Sequence, residues 1–211
     1  MRVIAIDGPA GAGKSTIARA LARRMGLEYL DTGAMYRAVT YAALARGLAL
    51  DDQEAVGEFA RQVPLEVSEV GVFVDGLDAT RAIRSPDVTA LVSKVAANSE
   101  VRTEMRARQQ EWAAEHGGGV IEGRDIGSVV FPDADLKLYL TASPRTRAER
   151  RVAEAGGDVD VIEAAIAARD HSDSNRSDSP LTLADGSIMV DTTGLGIDEV
   201  LAHIESLMSN S

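Results

Sequence analysis

The chain has 211 residues, no cysteine and a formal net charge of −11. The lack of cysteine excludes disulfides and thiolate metal sites, and the negative charge argues against a nucleic-acid polymer as partner, because phosphodiester backbones require a broad basic surface. No segment approaches the roughly 20 apolar residues that cross a bilayer, and the apolar run over residues 3–6 is too short for a secretion signal. We therefore expect one soluble, cytoplasmic domain with no membrane partner.

The start of the chain predicts two strand–helix pairs. Residues 2–7 are typical of a short buried strand, and residues 14–25 follow a helical period that ends at Gly26, a favoured C-terminal cap. A second strand is predicted over 27–30 and a longer helix over about 34–46. This alternation is the pattern of a parallel sheet covered by helices.

The middle of the chain interrupts that pattern. After a helix near 52–62, residues 64–78 alternate apolar and polar types around Gly71, which predicts a β-hairpin. We interpret the surrounding segment, about 64–84, as a small β insertion. Next come a helix that begins at the pair Ser85–Pro86 and a polar helix over about 100–115 that ends in Gly117–Gly119. Strands are predicted over 120–125, 136–140 and 187–191. One further helix begins at the pair Ser143–Pro144, another spans about 159–171, and a closing helix spans 197–208. The fold class is therefore α/β with a parallel sheet.

A phosphate-binding loop is predicted where the first strand ends. The sequence GPAGAGKST contains the pattern Gly-x-x-x-x-Gly-Lys-Ser, in which small residues let backbone N–H groups surround a phosphate. Lys14 would reach the β- and γ-phosphates, and the Ser15 hydroxyl would ligate Mg²⁺. A glycine-rich turn that matches by chance is the alternative, but the strand before and the helix after favour a site for a nucleoside triphosphate. The predicted ATP-binding residues of the loop are Gly8, Pro9, Ala10, Gly11, Ala12, Gly13, Lys14, Ser15 and Thr16.

Two polar clusters follow predicted strands, at the sheet edge where ligands bind. The first, LDTGAMYR, offers Thr32 for a hydrogen bond, Tyr36 for stacking and Arg37 for a phosphate. The second, EGRDIG, offers Arg124 and Asp125. A plain helix start and a surface ion pair are the respective alternatives. The guanine-reading pattern Asn-Lys-x-Asp is absent from the sequence, which disfavours a GTPase.

Two further clusters carry arginines on predicted helices. In ARDHSDSNRSDSP, the spacing of Arg169, Asp173 and Arg176 places all three on one face if the helix continues. In SPRTRAERR, Arg147, Arg150 and Arg151 precede a glycine-containing turn, which is typical of a lid that closes over a transferred phosphate. A solvated helix end and an ordinary arginine-rich helix are the alternatives. All four clusters predict one anion-binding cleft.

Taken together, these segments resemble bacterial-type cytidylate kinases, which phosphorylate CMP and dCMP with ATP. The resemblance covers nearly the whole chain and rests on IDGPAGAGKST, LDTGAMYR, IRSPDV, VSKVAANSEVR, EGRDIGSVVFPDADLKLYL, RTRAERR, RDHSDSNRSDSPL and VDTTGLGIDEV. It implies a P-loop kinase fold with a five-stranded parallel core, helices on both faces, a nucleotide-acceptor region over about 32–102 and a lid over about 147–160. A single domain over 1–211 and a monomer are expected.

The resemblance also implies roles for individual residues. Sugar and phosphate binding maps onto Thr32, Tyr36, Arg37, Arg124, Arg169, Asp173 and Arg176; cytosine recognition onto Ser93, Arg102 and Asp125; catalysis onto Lys14, Arg124, Arg147, Arg151 and Arg169; and ATP binding additionally onto Arg150. Glu122 stands where some relatives carry aspartate, and His171, Ser172 and Ser174 occupy positions that are more often charged. These departures leave the metal role of Glu122 and the exact phosphate contacts open.

The expected reaction is transfer of the γ-phosphoryl group from ATP, with Mg²⁺, to CMP or dCMP. Two alternatives stay open from the sequence. The same fold can act on UMP or on a non-nucleotide acceptor such as shikimate. A nucleotide-binding module without an acceptor would instead hydrolyse ATP slowly and ignore CMP.

Overall fold

The computed structural model describes residues 1–209, the last of them by its backbone alone. In chain order the elements are β1 (Arg2–Asp7), α1 (Lys14–Met25), β2 (Tyr29–Asp31), α2 (Thr32–Ala45), α3 (Gln53–Gln62), β3 (Leu65–Val67), β4 (Val72–Val74), β5 (Leu77–Asp78), a 3₁₀ turn (Ala82–Arg84), α4 (Pro86–Ala96), α5 (Ser99–Glu115), β6 (Gly118–Glu122), a π-helical turn (Ile126–Val130), β7 (Leu136–Thr141), α6 (Pro144–Ala155), α7 (Val159–Ser174), β8 (Ile188–Asp191) and α8 (Ile197–Ser209). Within this part of the chain, no helix combines the length and the apolar character needed to span a membrane.

Five parallel strands in the order β2-β6-β1-β7-β8 form the main sheet, which confirms the predicted α/β class. Successive residues of β1 alternate between two cores, as the pleat of a strand requires. Val3 and Ala5 pack with apolar residues of α2, α4 and α5, whereas Ile4 and Ile6 pack with those of α1 and α8. Because both faces are covered, the strands are apolar on both sides and the domain has three layers.

The predicted insertion is a second, antiparallel sheet in the order β3-β4-β5. The hairpin expected over 64–78 therefore contains a third, short strand. Asp75 and Gly76 connect β4 to β5 with φ angles of 51° and 75°, the left-handed values that a tight hairpin turn of type I′ requires. Val72 and Val74 pack against alanines of α2, so this sheet covers the outer side of that helix.

Several predicted boundaries differ from those in the structure. The second strand occupies 29–31 rather than 27–30, and α2 begins at Thr32 because the Asp31 carboxylate caps it by accepting the Ala34 N–H at 2.9 Å. Gly118 and Gly119 belong to β6 instead of a loop. A Cβ on Gly118 would lie 2.0 Å from the Arg2 carbonyl oxygen, so only glycine allows that approach. The chain leaves β6 after Glu122, three residues before the predicted end at 125.

Candidate active site

A cleft of about 1090 Å³ opens at the carboxyl ends of the main-sheet strands. The loops that follow β1, β2 and β6 meet there, as expected for neighbouring parallel strands. Among the described residues that line it, ten are Lys or Arg and only five are Asp or Glu. A protein of net charge −11 thus concentrates positive charge in one concave site, which suits anionic ligands.

The glycine-rich loop between β1 and α1 forms one wall of this cleft. Residues 10–16 line it, whereas Gly8 and Pro9 lie behind the lining. Gly8 has a φ of 143°, and a Cβ there would lie 1.9 Å from the Leu140 carbonyl oxygen, so the loop turns against β7 only with glycine at this position. Helix α1 has no side-chain cap, in contrast to α2 to α7. No capping side chain therefore competes with a ligand for its first N–H groups.

Lys14 is only 8% exposed and donates a hydrogen bond from Nζ to the Pro9 carbonyl oxygen at 2.8 Å. Burial, together with the positive charges of Arg124 and Arg169, lowers the pKa of Lys14 to about 7. An ammonium held in such a place is stabilised when negative charge arrives, so it is suited to bind phosphate.

Beside the loop, the Ser15 hydroxyl donates a hydrogen bond to the carboxylate of Glu122. Glu122 is buried, and burial followed by the charge of Asp31 raises its pKa, while hydrogen bonds from Ser15 and Tyr29 oppose the shift. Over residues 1–209 no group of three or more acidic or histidine side chains forms a preassembled metal centre. The oxygen donors of Ser15 and Glu122 nevertheless suit Mg²⁺, which usually keeps phosphate and water ligands and needs few from the protein.

In the same cleft, three of the predicted arginines surround Asp173. Arg124 donates from Nε to Asp173 at 2.8 Å, and the Asp173 carboxylate lies 4.0 Å from Arg169 and 3.8 Å from Arg176. Burial raises the pKa of Asp173, but the positive charges, Arg124 first, lower it further than burial raises it. The predicted reason for this cluster was wrong, because α7 ends at Ser174, before Arg176. The three side chains meet through the shared carboxylate rather than on one helix face.

Two donors in this cluster point to an anion. The Nε atoms of Arg169 and Arg176 are buried and have no hydrogen-bond partner within the described protein. Burial and the charge of Arg124 lower the pKa of Arg169 to about 10. Unsatisfied buried donors are costly, and a bound phosphate or sugar oxygen would remove that cost. Arg37 also lines the cleft, where it donates to Ile83 O at 3.2 Å and to Thr89 Oγ1 at 2.9 Å.

The residues predicted to read a base lie together in the cleft. Arg102 is 2% exposed, pairs directly with Asp125 and donates to Ala96 O at 3.1 Å. Its guanidinium lies 5.6 Å from the centre of the Tyr36 ring. Ser93 lines the same cleft. Thr32 also lines it, with its hydroxyl donating to Glu122 O at 2.7 Å.

The predicted lid arginines separate into two groups. Arg150 and Arg151 line the cleft, and Arg150 donates to Thr192 Oγ1 and O at 2.9 and 2.7 Å. Arg147 lies outside the lining and donates instead to the backbone carbonyls of Ala142 and Ala10. The expectation that all three extend over the transferred group therefore requires a correction, because the Arg147 guanidinium is bound to the glycine-rich loop from behind.

One buried carboxylate was missed by the sequence analysis. Asp7, the last residue of β1, accepts the backbone N–H groups of Ile126 and Gly127 at 2.9 and 2.7 Å. It thereby fixes the segment that carries Asp125. The available signal was an acidic residue at the carboxyl end of an otherwise apolar strand. Its partners lie 119 and 120 residues away, so they could not be read from the pattern.

We expect Asp7 to make stability pH-dependent. Burial raises its pKa from 3.8 to about 6, so the native state binds this proton more tightly than the unfolded state, and the resulting stability is lost as pH rises from about 4 to about 6. Relative to wild type, the free energy of unfolding of Asp7→Asn should rise by about 3 kcal/mol across that range. Urea denaturation at a series of pH values measures this difference, and parallel curves for the two proteins would refute it.

The sheet order, the loop between β1 and α1, and the basic cleft at the strand ends define a P-loop kinase fold. The structure of deoxyadenosine kinase from M. mycoides with bound dATP is similar to this one, with a TM-score of 0.50 and 16% identity. The alignment covers 100% of each chain. That likeness supports the fold alone.

Comparison of sequences identifies the family. The family model described as cytidylate kinase matches residues 4–210. A cytidylate kinase of Desulfitobacterium hafniense is 50% identical over 215 residues, covering 98% of this chain and 92% of that protein. A cytidylate kinase of Ligilactobacillus salivarius is 49% identical over 214 residues, covering 97% of this chain and 95% of that protein. The chain belongs to the cytidylate kinase family.

Proposed function

We propose that the protein transfers the γ-phosphoryl group of ATP to the 5′-phosphate of CMP or dCMP, giving ADP and CDP or dCDP. The observation that carries this proposal is the presence of two candidate anion sites that line one cleft. One is the uncapped start of α1 with Lys14, and the other is the arginine cluster around Asp173. A donor triphosphate and an acceptor monophosphate fit these two sites.

The acceptor oxygen of a nucleoside monophosphate is already deprotonated, so the reaction needs no strong general base. Catalysis then depends on positioning and on neutralising the charge of the transferred group. We assign neutralisation to Lys14 and Arg151, and anchoring of the acceptor phosphate to Arg37, Arg124 and Arg169. Arg150, bound to Thr192 beside Gly13, closes the donor side of the cleft.

Mg²⁺ supplies charge neutralisation on the donor phosphates when it is bound. Ser15 would hold it directly, and the Glu122 carboxylate would act on it through water. The chain's own contribution is to keep Glu122 in place. Tyr29 and Thr32 do this by donating hydrogen bonds to the Glu122 side chain and backbone, respectively.

Recognition of cytosine is assigned to Asp125, Arg102 and Ser93. Cytosine presents an exocyclic amine beside acceptor atoms, whereas uracil presents a carbonyl oxygen in place of that amine. A carboxylate accepts a hydrogen bond from the amine and repels the carbonyl oxygen. Because Arg102 holds Asp125 and is itself buried, the position of the carboxylate is fixed before the base arrives.

Initial-rate measurements of ADP formation with a panel of acceptors test the proposed function. We expect CMP and dCMP to support rapid turnover, with UMP, AMP and shikimate much slower. Rapid turnover with UMP or shikimate alone would reassign the acceptor, and slow ATP hydrolysis at a rate independent of every acceptor would reject the kinase.

We also propose that the protein is a monomer, since the described residues of one chain supply both anion sites.

A further inference from the structure

The P-loop residue Ala10 is held through both of its backbone groups by residues of the two helices α6 and α7. Its N–H donates to Asp170 Oδ1 at 3.1 Å, and its carbonyl oxygen accepts from Arg147 Nη1 at 3.0 Å. Arg147 and Asp170 also form an ion pair with each other. The three groups close a ring of hydrogen bonds on one peptide segment of the donor loop, and we call this ring the Ala10 clamp.

The Ala10 clamp lies behind the loop rather than in the cleft. Neither Arg147 nor Asp170 lines the cleft. Arg147 is buried and donates also from Nε to Ala142 O at 3.1 Å, which fixes the direction of its guanidinium. Gly11 has a φ of 76°, and a Cβ there would lie 2.9 Å from the Arg147 carbonyl oxygen, so the backbone of α6 lies directly on the loop.

Asp170 is not suited to bind phosphate directly, because both groups are negatively charged. A carboxylate beside a triphosphate site repels the ligand unless its charge is neutralised, and the ion pair with Arg147 provides that neutralisation. The role of the Asp170 carboxylate is therefore to accept the hydrogen bond from the Ala10 N–H. Hydrogen bonds from a backbone N–H to an ionised acceptor are about twice as strong as neutral ones.

The clamp also connects the two anion sites. Asp170 follows Arg169, which lines the cleft, and precedes by three residues Asp173, on which the acceptor arginines converge. One turn of α7 thus contacts both the donor loop and the acceptor cluster. A shift of the loop at Ala10 would displace the N–H groups of residues 12–16 relative to that cluster.

We propose that Asp170 is a positioning residue which, paired with Arg147, fixes the P-loop at Ala10 and sets the distance between bound ATP and the acceptor site. It acts through the loop backbone and does not touch a substrate. The proposal rests on the proposed function only in taking the P-loop as the donor site. The chemical class of the acceptor does not enter it.

Three variants of the full chain test the proposal. Asp170→Ala removes both interactions of the carboxylate, Asp170→Asn keeps an acceptor oxygen for the Ala10 N–H, and Asp160→Asn removes an exposed acid of the same helix that pairs with Arg145. The dissociation constants of ATP alone and of CMP alone are measured by titration calorimetry, together with the melting temperature and kcat.

We expect Asp170→Ala to weaken ATP binding about tenfold, the effect of losing a hydrogen bond to a charged group, and to lower kcat. The dissociation constant of CMP should change less than twofold, because the arginines around Asp173 keep their contacts. Asp170→Asn should recover part of the ATP affinity, and Asp160→Asn should match wild type in every measurement.

The outcomes separate the proposal from a general structural role. Unchanged ATP affinity in Asp170→Ala overturns it, and so does an equal loss for ATP and CMP that follows a fall in melting temperature. If Asp170→Ala does not fold, the comparison between Asp170→Asn and wild type decides, with unchanged ATP affinity and kcat counting against the clamp. ATP binding without an acceptor tests the clamp even if CMP proves not to be the substrate.

Discussion

Replacement of Lys14 by alanine is expected to lower kcat with ATP and CMP by at least about a hundredfold, since a preorganised donor that stabilises transition-state charge contributes about 3–4 kcal/mol. Lys14 is the buried cation of the P-loop, 8% exposed and placed at the start of α1. No other lysine lines the cleft among the described residues. Steady-state kinetics at saturating ATP and CMP measures the loss.

The fold of Lys14→Ala should stay intact. Burial lowers the pKa of Lys14 to about 7 from 10.5, so the native state disfavours its proton and the charged ammonium reduces stability near neutral pH. Its removal is therefore expected to leave the melting temperature unchanged or raise it. Lys94→Ala is the matched control, because Lys94 pairs with Asp51 at the surface and lies outside the cleft lining. Full activity in Lys14→Ala would defeat the assignment.

The second large effect is expected at Asp125. Asp125→Asn should lower kcat/KM for CMP by about tenfold to a hundredfold, the range for a hydrogen bond to a charged group, and should raise the ratio of UMP to CMP use. An amide can turn its NH₂ toward the uracil carbonyl oxygen, which a carboxylate cannot contact favourably. Initial rates with both acceptors give the ratio.

Asparagine is the informative replacement, because Asp125 also pairs with Arg102. Asp125→Ala leaves a guanidinium that is 2% exposed without its main partner, and an unpaired buried charge costs about 3–5 kcal/mol of stability. That variant should harm CMP use more than UMP use, but with a fall in melting temperature. Thr103→Ala, at an exposed position of α5, serves as a control. Equal losses for CMP and UMP in Asp125→Asn would reject the base-reading role.

Local patterns predicted the P-loop well, because the strand, the glycine-rich turn and the helix are consecutive in the chain. Asp125 and Arg124 were predicted as cleft residues for a similar reason, since parallel strands place their carboxyl ends at one edge. The arginines around Asp173 were predicted from helical spacing, although Arg176 lies beyond the end of α7. The residues are brought together in the structure, but by a shared carboxylate.

Contacts between distant segments could not be predicted from one sequence. The position of Arg147 depends on Ala10, which lies 137 residues away, and that of Asp170 on the same loop. A pattern of arginines on one helix gave no means to distinguish a side chain that faces the cleft from one that holds the loop. Asp7 was overlooked because its partners, Ile126 and Gly127, belong to a π-helical turn that no periodicity indicated.

The most direct test of the central claim follows the phosphoryl group itself. The protein is incubated with Mg²⁺, CMP and ATP labelled at the γ-phosphate, and the products are separated after about one turnover. If the phosphoryl group is transferred to CMP, we expect label in CDP in an amount equal to the ADP formed, and negligible label in inorganic phosphate. Label that appears in inorganic phosphate at a rate independent of CMP would contradict the account.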